Sequence, residues 1–206
     1  MAERRFGIPG GEVSEKIIPE MSPPTAVCLN PERWHAYDNM ATELEVLALL
    51  GCLVAALKPK RILETGCYHG HATEQLAKAT RINGFGDIFT CDTGAREVQI
   101  THERLLGYSN VSIITGTGLE LINTVGGPIH FAFLDSGPDE IRCHELRALY
   151  PYLSAGAVVA IHDSGVHTFL REKYLPHLLR ELEMQHIFFD TPRGLCLCRK
   201  KPEIYP

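Results

Sequence analysis

What this chain lacks already narrows it. No apolar stretch reaches the ~20 residues of a membrane-spanning helix; the longest, around Val46–Leu57, is interrupted by Gly51 and ends at Lys58-Pro59. No run of Lys and Arg occurs, and 20 basic against 25 acidic residues give a formal charge of −5. Without a basic footprint the chain is not expected to bind nucleic acid. The seven cysteines, at 28, 52, 67, 91, 143, 196 and 198, are odd in number and form no C-x-x-C. Neither a disulfide framework nor a zinc knuckle is supported, and they read as small buried hydrophobes of a reducing compartment. The opening MAERRFGIPGGEVSEK carries no apolar leader segment. The expectation is a soluble, cytoplasmic protein with no membrane partner.

What is present is globular. At 206 residues, with 45% apolar and 22% charged residues, the chain is large enough to bury roughly 70% of its unfolded surface in one domain. Residues 1–30, rich in Gly, Pro and charge, show no period and read as an extended arm ahead of a domain over 31–206; a homo-oligomer formed through that arm is left open. Asn30-Pro31 predicts a short helix through about Met40, and Thr42-x-x-Glu45 reads as a capping box before a long apolar helix closed at Lys58-Pro59. Beyond it, β-rich runs alternate with amphipathic ones. Strands are expected at Arg61–Glu64, Asp87–Cys91, Val111–Thr115, His130–Leu134 and Ala157–Ile161. The helices between and after them are expected at His71–Thr80, Ala95–Leu106, Leu119–Asn123, Pro138–Tyr150 and Thr168–Glu183. This pattern calls for a doubly wound α/β fold, a parallel sheet with helices on both faces. The last two strands, Gln185–Phe189 and Leu195–Arg199, leave no room for a crossover and must pair as an antiparallel hairpin.

The first strand of the alternation ends in Glu64-Thr65-Gly66-Cys67-Tyr68-His69-Gly70-His71, the turn where such sheets bind ligands. Gly66 and Gly70 let backbone approach a ligand closely. A dinucleotide fingerprint would need G-x-G-x-x-G, and here positions 68 and 71 are Tyr and His, which points to a nucleoside without a pyrophosphate. The second strand ends in Cys91-Asp92-Thr93, where a carboxylate can accept from both ribose hydroxyls.

These residues resemble the class I S-adenosylmethionine-dependent methyltransferases over roughly 40–200, through E-x-G-x-x-x-G, the acidic end of the second strand and the terminal hairpin. The glycine turn is most similar to the catechol O-methyltransferase branch and its bacterial small-molecule relatives. The resemblance implies a Rossmann-like three-layer αβα sheet of seven strands, S-adenosylmethionine as cofactor, and methyl transfer to a hydroxyl oxygen of a small-molecule acceptor. It implies that Glu64 engages the methionyl amino group, with Gly66, Tyr68 and Gly70 lining it. Asp92, beside Thr93, would hold the ribose, and Gly116 and Thr117 would lie by the adenine. Met40 and Ala41 correspond to a segment covering cofactor and substrate.

Two further strand tips carry Asp135 and Asp163 across the same crevice, where hard oxygen ligands could take Mg²⁺ or another divalent cation. In the catechol branch equivalent strand ends carry metal ligands. Pro138 stands where that branch has a lysine, and Ser164 where it has an asparagine, so a metal-free site in which Asp135 only positions cofactor or substrate is the alternative. His162 is the candidate catalytic base, against a purely hydrogen-bonded structural role. His69 and His71 are read as facing solvent or substrate. Trp34, Tyr37 and Phe6 either wall an acceptor pocket or staple the arm. Rival readings are a catalytically degenerate binding module, a nicotinamide-dependent oxidoreductase and a His-Asp metallohydrolase.

Overall fold

The computed structural model describes residues 16–17, 28–165 and 168–202. Most of the proposed arm, with Phe6, and His167 lie outside the described residues. Strands β1 (Lys16–Ile17) and β2 (His35–Ala36) form a small antiparallel ribbon. Then come α1 (Leu44–Leu57), β3 (Arg61–Thr65), α2 (His71–Asn83), β4 (Asp87–Asp92), α3 (Ala95–Arg104), β5 (Val111–Thr115) and α4 (Gly118–Val125). The chain continues through β6 (Ile129–Leu134), α5 (Asp139–Leu149), β7 (Leu153–His162), α6 (Leu175–Glu181), β8 (Gln185–Phe189) and β9 (Leu195–Arg199).

The seven-stranded sheet runs in the order β5-β4-β3-β6-β7-β9-β8. β3 through β7 pair parallel, and β9 pairs antiparallel with both β7 and β8. This is the expected doubly wound sheet with its terminal hairpin. Strand order reverses between β3 and β6, and a crevice opens at their carboxyl ends. Alternate strand residues feed two cores. Ile62, Phe131 and Phe133 pack with Leu47, Leu50, Val54 and Leu76 of α1 and α2. Leu63, Ala132, Leu134 and Ile161 pack on the other face with Leu121, Leu146, Leu175 and Leu179. No helix among the described residues is long and apolar enough to cross a membrane. Cys52 is exposed, and the other six cysteines are buried.

Three local expectations differ. The helix foreseen from Pro31 to Met40 is a single 3₁₀ turn, Pro31–Arg33, after which Trp34 is extended and His35 enters the ribbon. Nor does the capping box form: Glu43 takes the N-cap without a capping bond, the Thr42 hydroxyl donates to Asp135 (2.8 Å), and Glu45 accepts from the backbone of His35 (3.2 Å). A capping box does close at Thr117 and Glu120, ahead of α4. Finally, the helix expected over Thr168–Glu183 begins as a π turn, Leu170–Tyr174, in which the Leu175 N–H reaches back to the carbonyl of Leu170. Pro176 has no N–H for the carbonyl of Glu172, and the wider turn absorbs that loss.

Candidate active site

The turn after β3 is held open by backbone. Gly66 (φ +82°) donates to the Cys91 carbonyl (3.0 Å), and a Cβ there would lie 2.5 Å from the carbonyl oxygen of Asp135. Only glycine fits between β3 and β6 at this point. Tyr68 also has positive φ (+46°). Its amide donates to Asp92 Oδ2 (2.9 Å), while Oδ1 of the same carboxylate accepts from the Gly94 amide (3.0 Å). Asp92 thereby ties the first turn to the second.

The crevice is a cleft of about 800 Å³, within the ~300–1,000 Å³ of small-molecule sites. Met40, Gly66, Tyr68, Asp92, Thr93, Gly116, Thr117 and Asp135 all line it, as does Asp163. Glu64, Gly70 and His162 are not among the lining residues. Gly70 packs instead against Thr101, whose side chain would lie 2.9 Å from an added Cβ. Trp34 and Tyr37 pack on the α1–α2 core, and Tyr37 stacks on His71 (3.8 Å between centroids), so they brace the entry segment.

Glu64 lies beneath the turn, fully buried. Its Oε2 accepts from the hydroxyls of Thr73 (2.5 Å) and Thr90 (2.6 Å), and its Oε1 has no partner among the described residues. Burial pushes the carboxyl up to about 7 despite the two hydroxyls. A buried acceptor without a donor is costly unless a ligand supplies one.

At the other end of the cleft lies a charged cluster that sequence reasoning saw only in part. His162 is fully buried, with Nδ1 3.0 Å from Asp135 Oδ1 and Nε2 2.6 Å from Glu43 Oε2. Two carboxylates on one ring call for a donor at each nitrogen, the imidazolium. Burial opposes that charge, but Asp135, Glu43 and Asp163 outweigh it and raise the pKa well above the ordinary value. In turn, burial works to raise Glu43 while His162 brings it down to about 2. The geometry therefore speaks against the base expected of His162: the ring is out of the cleft, both nitrogens are engaged, and its proton is held. Its place is that of an orienter of Asp135.

Glu43 also accepts from the Thr191 hydroxyl (3.2 Å) and the Arg193 amide (3.0 Å), joining the start of α1 to the hairpin turn. Arg193 lines the cleft; its Nε donates to Asp163 Oδ1 (2.9 Å) and its Nη1 to the Ala41 carbonyl (3.0 Å). Arg142, nearly buried, holds the carbonyls of Ser136 and Gly137 and stands 3.5 Å from Asp163 Oδ2. Glu145 accepts from the hydroxyls of Thr65 and Ser136 at the cleft floor. The partners of Glu43 lie 119 to 150 residues away in sequence, too far for a local signature.

Asp135, His162 and Asp163 each offer one ligand atom, and these atoms lie within 4.8 Å of one another. That grouping is consistent with the optional divalent cation, and the donor types suit a hard ion. Each donor atom already has a protein partner, however, and a metal on the two carboxylates would compete with His162, Thr42, Arg193 and Arg142 for their charge.

Residues 63–164 match a family model described as a methyltransferase domain. Among solved structures the chain is similar to the SAH-bound methyltransferase PaMTH1 from Podospora anserina (TM-score 0.68, 19% identity, covering 80% of this chain and 81% of that one). It is also similar to the O-methyltransferase TomG from Streptomyces achromogenes, involved in tomaymycin synthesis and solved with SAM (0.67, 19%, 79% and 82%). A third is an O-methyltransferase from Bacillus cereus in complex with SAH (0.66, 14%, 80% and 84%). No curated protein sequence matches the chain. At these identities the solved structures speak for the fold.

Proposed function

Since the chain belongs to the class I S-adenosylmethionine-dependent methyltransferases, we propose that it methylates a hydroxyl oxygen of a small-molecule acceptor. The observation that carries this reading is the polarity of the cleft. Backbone with the carboxylates of Asp92 and Glu97 forms one end, and the paired charges of Asp135, Asp163 and Arg193 form the other, suited to an oxygen nucleophile.

The residues present fit the cofactor. Gly66 lines the cleft as bare backbone at positive φ, and Glu64 Oε1, beneath the turn, is a buried acceptor without a donor, suited to an ammonium. Each oxygen of Asp92 holds only one amide and keeps a lone pair for a ribose hydroxyl. Thr93, Gly116 and Thr117 continue the same wall on the adenine side, and Met40 covers it. When bound, S-adenosylmethionine supplies a methyl electrophile on a sulfonium whose charge is lost as the methyl moves. The acceptor gives up its hydroxyl proton to solvent and attacks as the oxyanion, and the chain's part is to align it, with Asp135, oriented by His162 and Thr42, lining the cleft as the residue we assign to positioning. Alignment alone is worth ~7–11 kcal/mol of barrier.

Calorimetry with S-adenosylhomocysteine, followed by transfer of a labelled methyl to a panel of catechols, phenols and sugars, tests the proposal. Heat on binding and label on oxygen are expected; binding with label found only on nitrogen, carbon or sulfur acceptors, or on none, overturns the hydroxyl assignment.

A further inference from the structure

We propose that the Arg193 guanidinium is the resident cation of this cleft, held on the carboxylate of Asp163 in such a way that it and a divalent ion exclude each other. Arg193 is not a loose surface side chain. Its amide donates to Glu43 Oε1 (3.0 Å), and its carbonyl accepts from the Gly165 amide (2.9 Å). The next residue, Gly194 (φ +84°), runs so close to the backbone of Gly165 that no side chain fits there. The hairpin turn is thus pinned against the tip of β7, the strand that carries Asp163.

The guanidinium is fixed as firmly. Nε holds Asp163 Oδ1 at 2.9 Å and Nη1 holds the Ala41 carbonyl at 3.0 Å, and the side chain is 19% exposed. Nη2 has no acceptor among the described residues, although Arg193 lines the cleft beside Asp135. Asp163 itself has positive φ (+55°), a conformation that non-glycine residues adopt only when surroundings enforce it, and Arg142 stands at its other oxygen (3.5 Å). A divalent ion bound to Asp163 would lie ~2.0–2.6 Å from a carboxylate oxygen, beside a guanidinium that cannot lose its charge. With Arg142 already at its other oxygen, Asp163 then has no negative charge left to neutralise a divalent ion, and the two cations compete for it.

Resting on the methyl-transfer reading, the consequence is that the positive charge facing the acceptor oxygen comes from the protein. The cleft then favours acceptors that ionise readily or carry an anionic group near the hydroxyl.

The test is Mn²⁺ titration followed by electron paramagnetic resonance, on the SAH-saturated full chain and on Arg193→Ala and Arg193→Lys. Wild type and the lysine variant should leave the ion free up to about 1 mM, and Arg193→Ala should bind it at least about tenfold more tightly, as expected when a facing charge is removed. Stoichiometric Mn²⁺ on the wild type at micromolar concentration overturns the proposal, as does an alanine variant that folds and binds no better. If the alanine variant fails to fold, the wild-type titration decides alone. SAH calorimetry on the same samples keeps the two readings apart: heat with SAH together with tight Mn²⁺ sinks only the arginine assignment.

Discussion

Glu64 offers the sharpest test of how the glycine turn is built. One of its oxygens serves two threonine hydroxyls, the other serves nothing, and burial pushes the carboxyl from an ordinary 4.5 up to about 7. Between those two values the folded chain holds a proton that the unfolded chain releases. Stability rises with pH where the unfolded state binds more protons, so here it must fall as pH rises from 4.5 to 7. At ~1.4 kcal/mol per tenfold change in ionisation the full loss is about 3 kcal/mol, most of which falls between pH 5 and pH 8. Glu64→Gln keeps the shape and cannot ionise. Urea unfolding of both proteins at pH 5 and pH 8 isolates the effect, because hydrogen-bond changes that do not depend on pH cancel in the difference. The glutamine variant should gain about 2–3 kcal/mol on wild type over that span, and saturating S-adenosylhomocysteine should shrink the gap if its ammonium pairs with Oε1. Parallel loss of stability in the two proteins would refute the reasoning, since Glu64 would then titrate alike folded and unfolded.

Asp92→Ala should weaken binding of S-adenosylhomocysteine by ~1–3 kcal/mol, read by calorimetry, through loss of a charged acceptor. Glu43→Gln removes one side of a buried ion pair and should cost ~3–5 kcal/mol in urea unfolding at pH 7. Because His162 holds Glu43 down at about 2 against the effect of burial, that advantage is present above pH 4.5 and is lost as pH falls toward 2. The gap between wild type and variant should therefore close on acidification, and a gap independent of pH would contradict the pair. Gly66→Ala places a Cβ 2.5 Å from the Asp135 carbonyl at φ +82°, and should cost about 2–4 kcal/mol and abolish cofactor binding; an alanine variant with native affinity would show that the turn is not built as described.

The sheet was legible because its determinants are short-range. Continuous apolar runs such as Phe131–Leu134 can only be strands covered on both faces, and five residues between the last two strands forbid a crossover. The same holds for the cleft lining proposed to hold the cofactor: Gly66 and Asp92 announce themselves by position at the ends of β3 and β4. Thr42-x-x-Glu45 shows where local signatures mislead, because each side chain found a tertiary partner, Asp135 and His35, in place of the helix end. Pro176 did carry a signal in the middle of its predicted helix, and the π turn is how the fold accommodates it. Glu43 gave none, its contacts being 119 to 150 residues apart, and the Arg193 guanidinium bonds Asp163 and Ala41, 30 and 152 residues away.

That contrast follows from what the two ends of the cleft are made of. A cofactor wall built from amide groups needs residues that permit a backbone path, and permission is written locally, in glycines and positive φ. A wall built from ion pairs needs partners that neutralise each other inside the protein, and those come from whichever strand tips and turns converge there. The start of α1, the tips of β6 and β7 and the hairpin turn all meet at Glu43, Asp135, Asp163 and Arg193. On the proposed assignment, changing the hairpin turn should alter acceptor selection while the glycine turn proposed for the cofactor stays as it is. Because Glu43 carries the hairpin's amide and His162 on the same carboxylate, the turn is linked to Asp135 through three hydrogen bonds, from Arg193 to Glu43 to His162 to Asp135, none of them in the glycine turn.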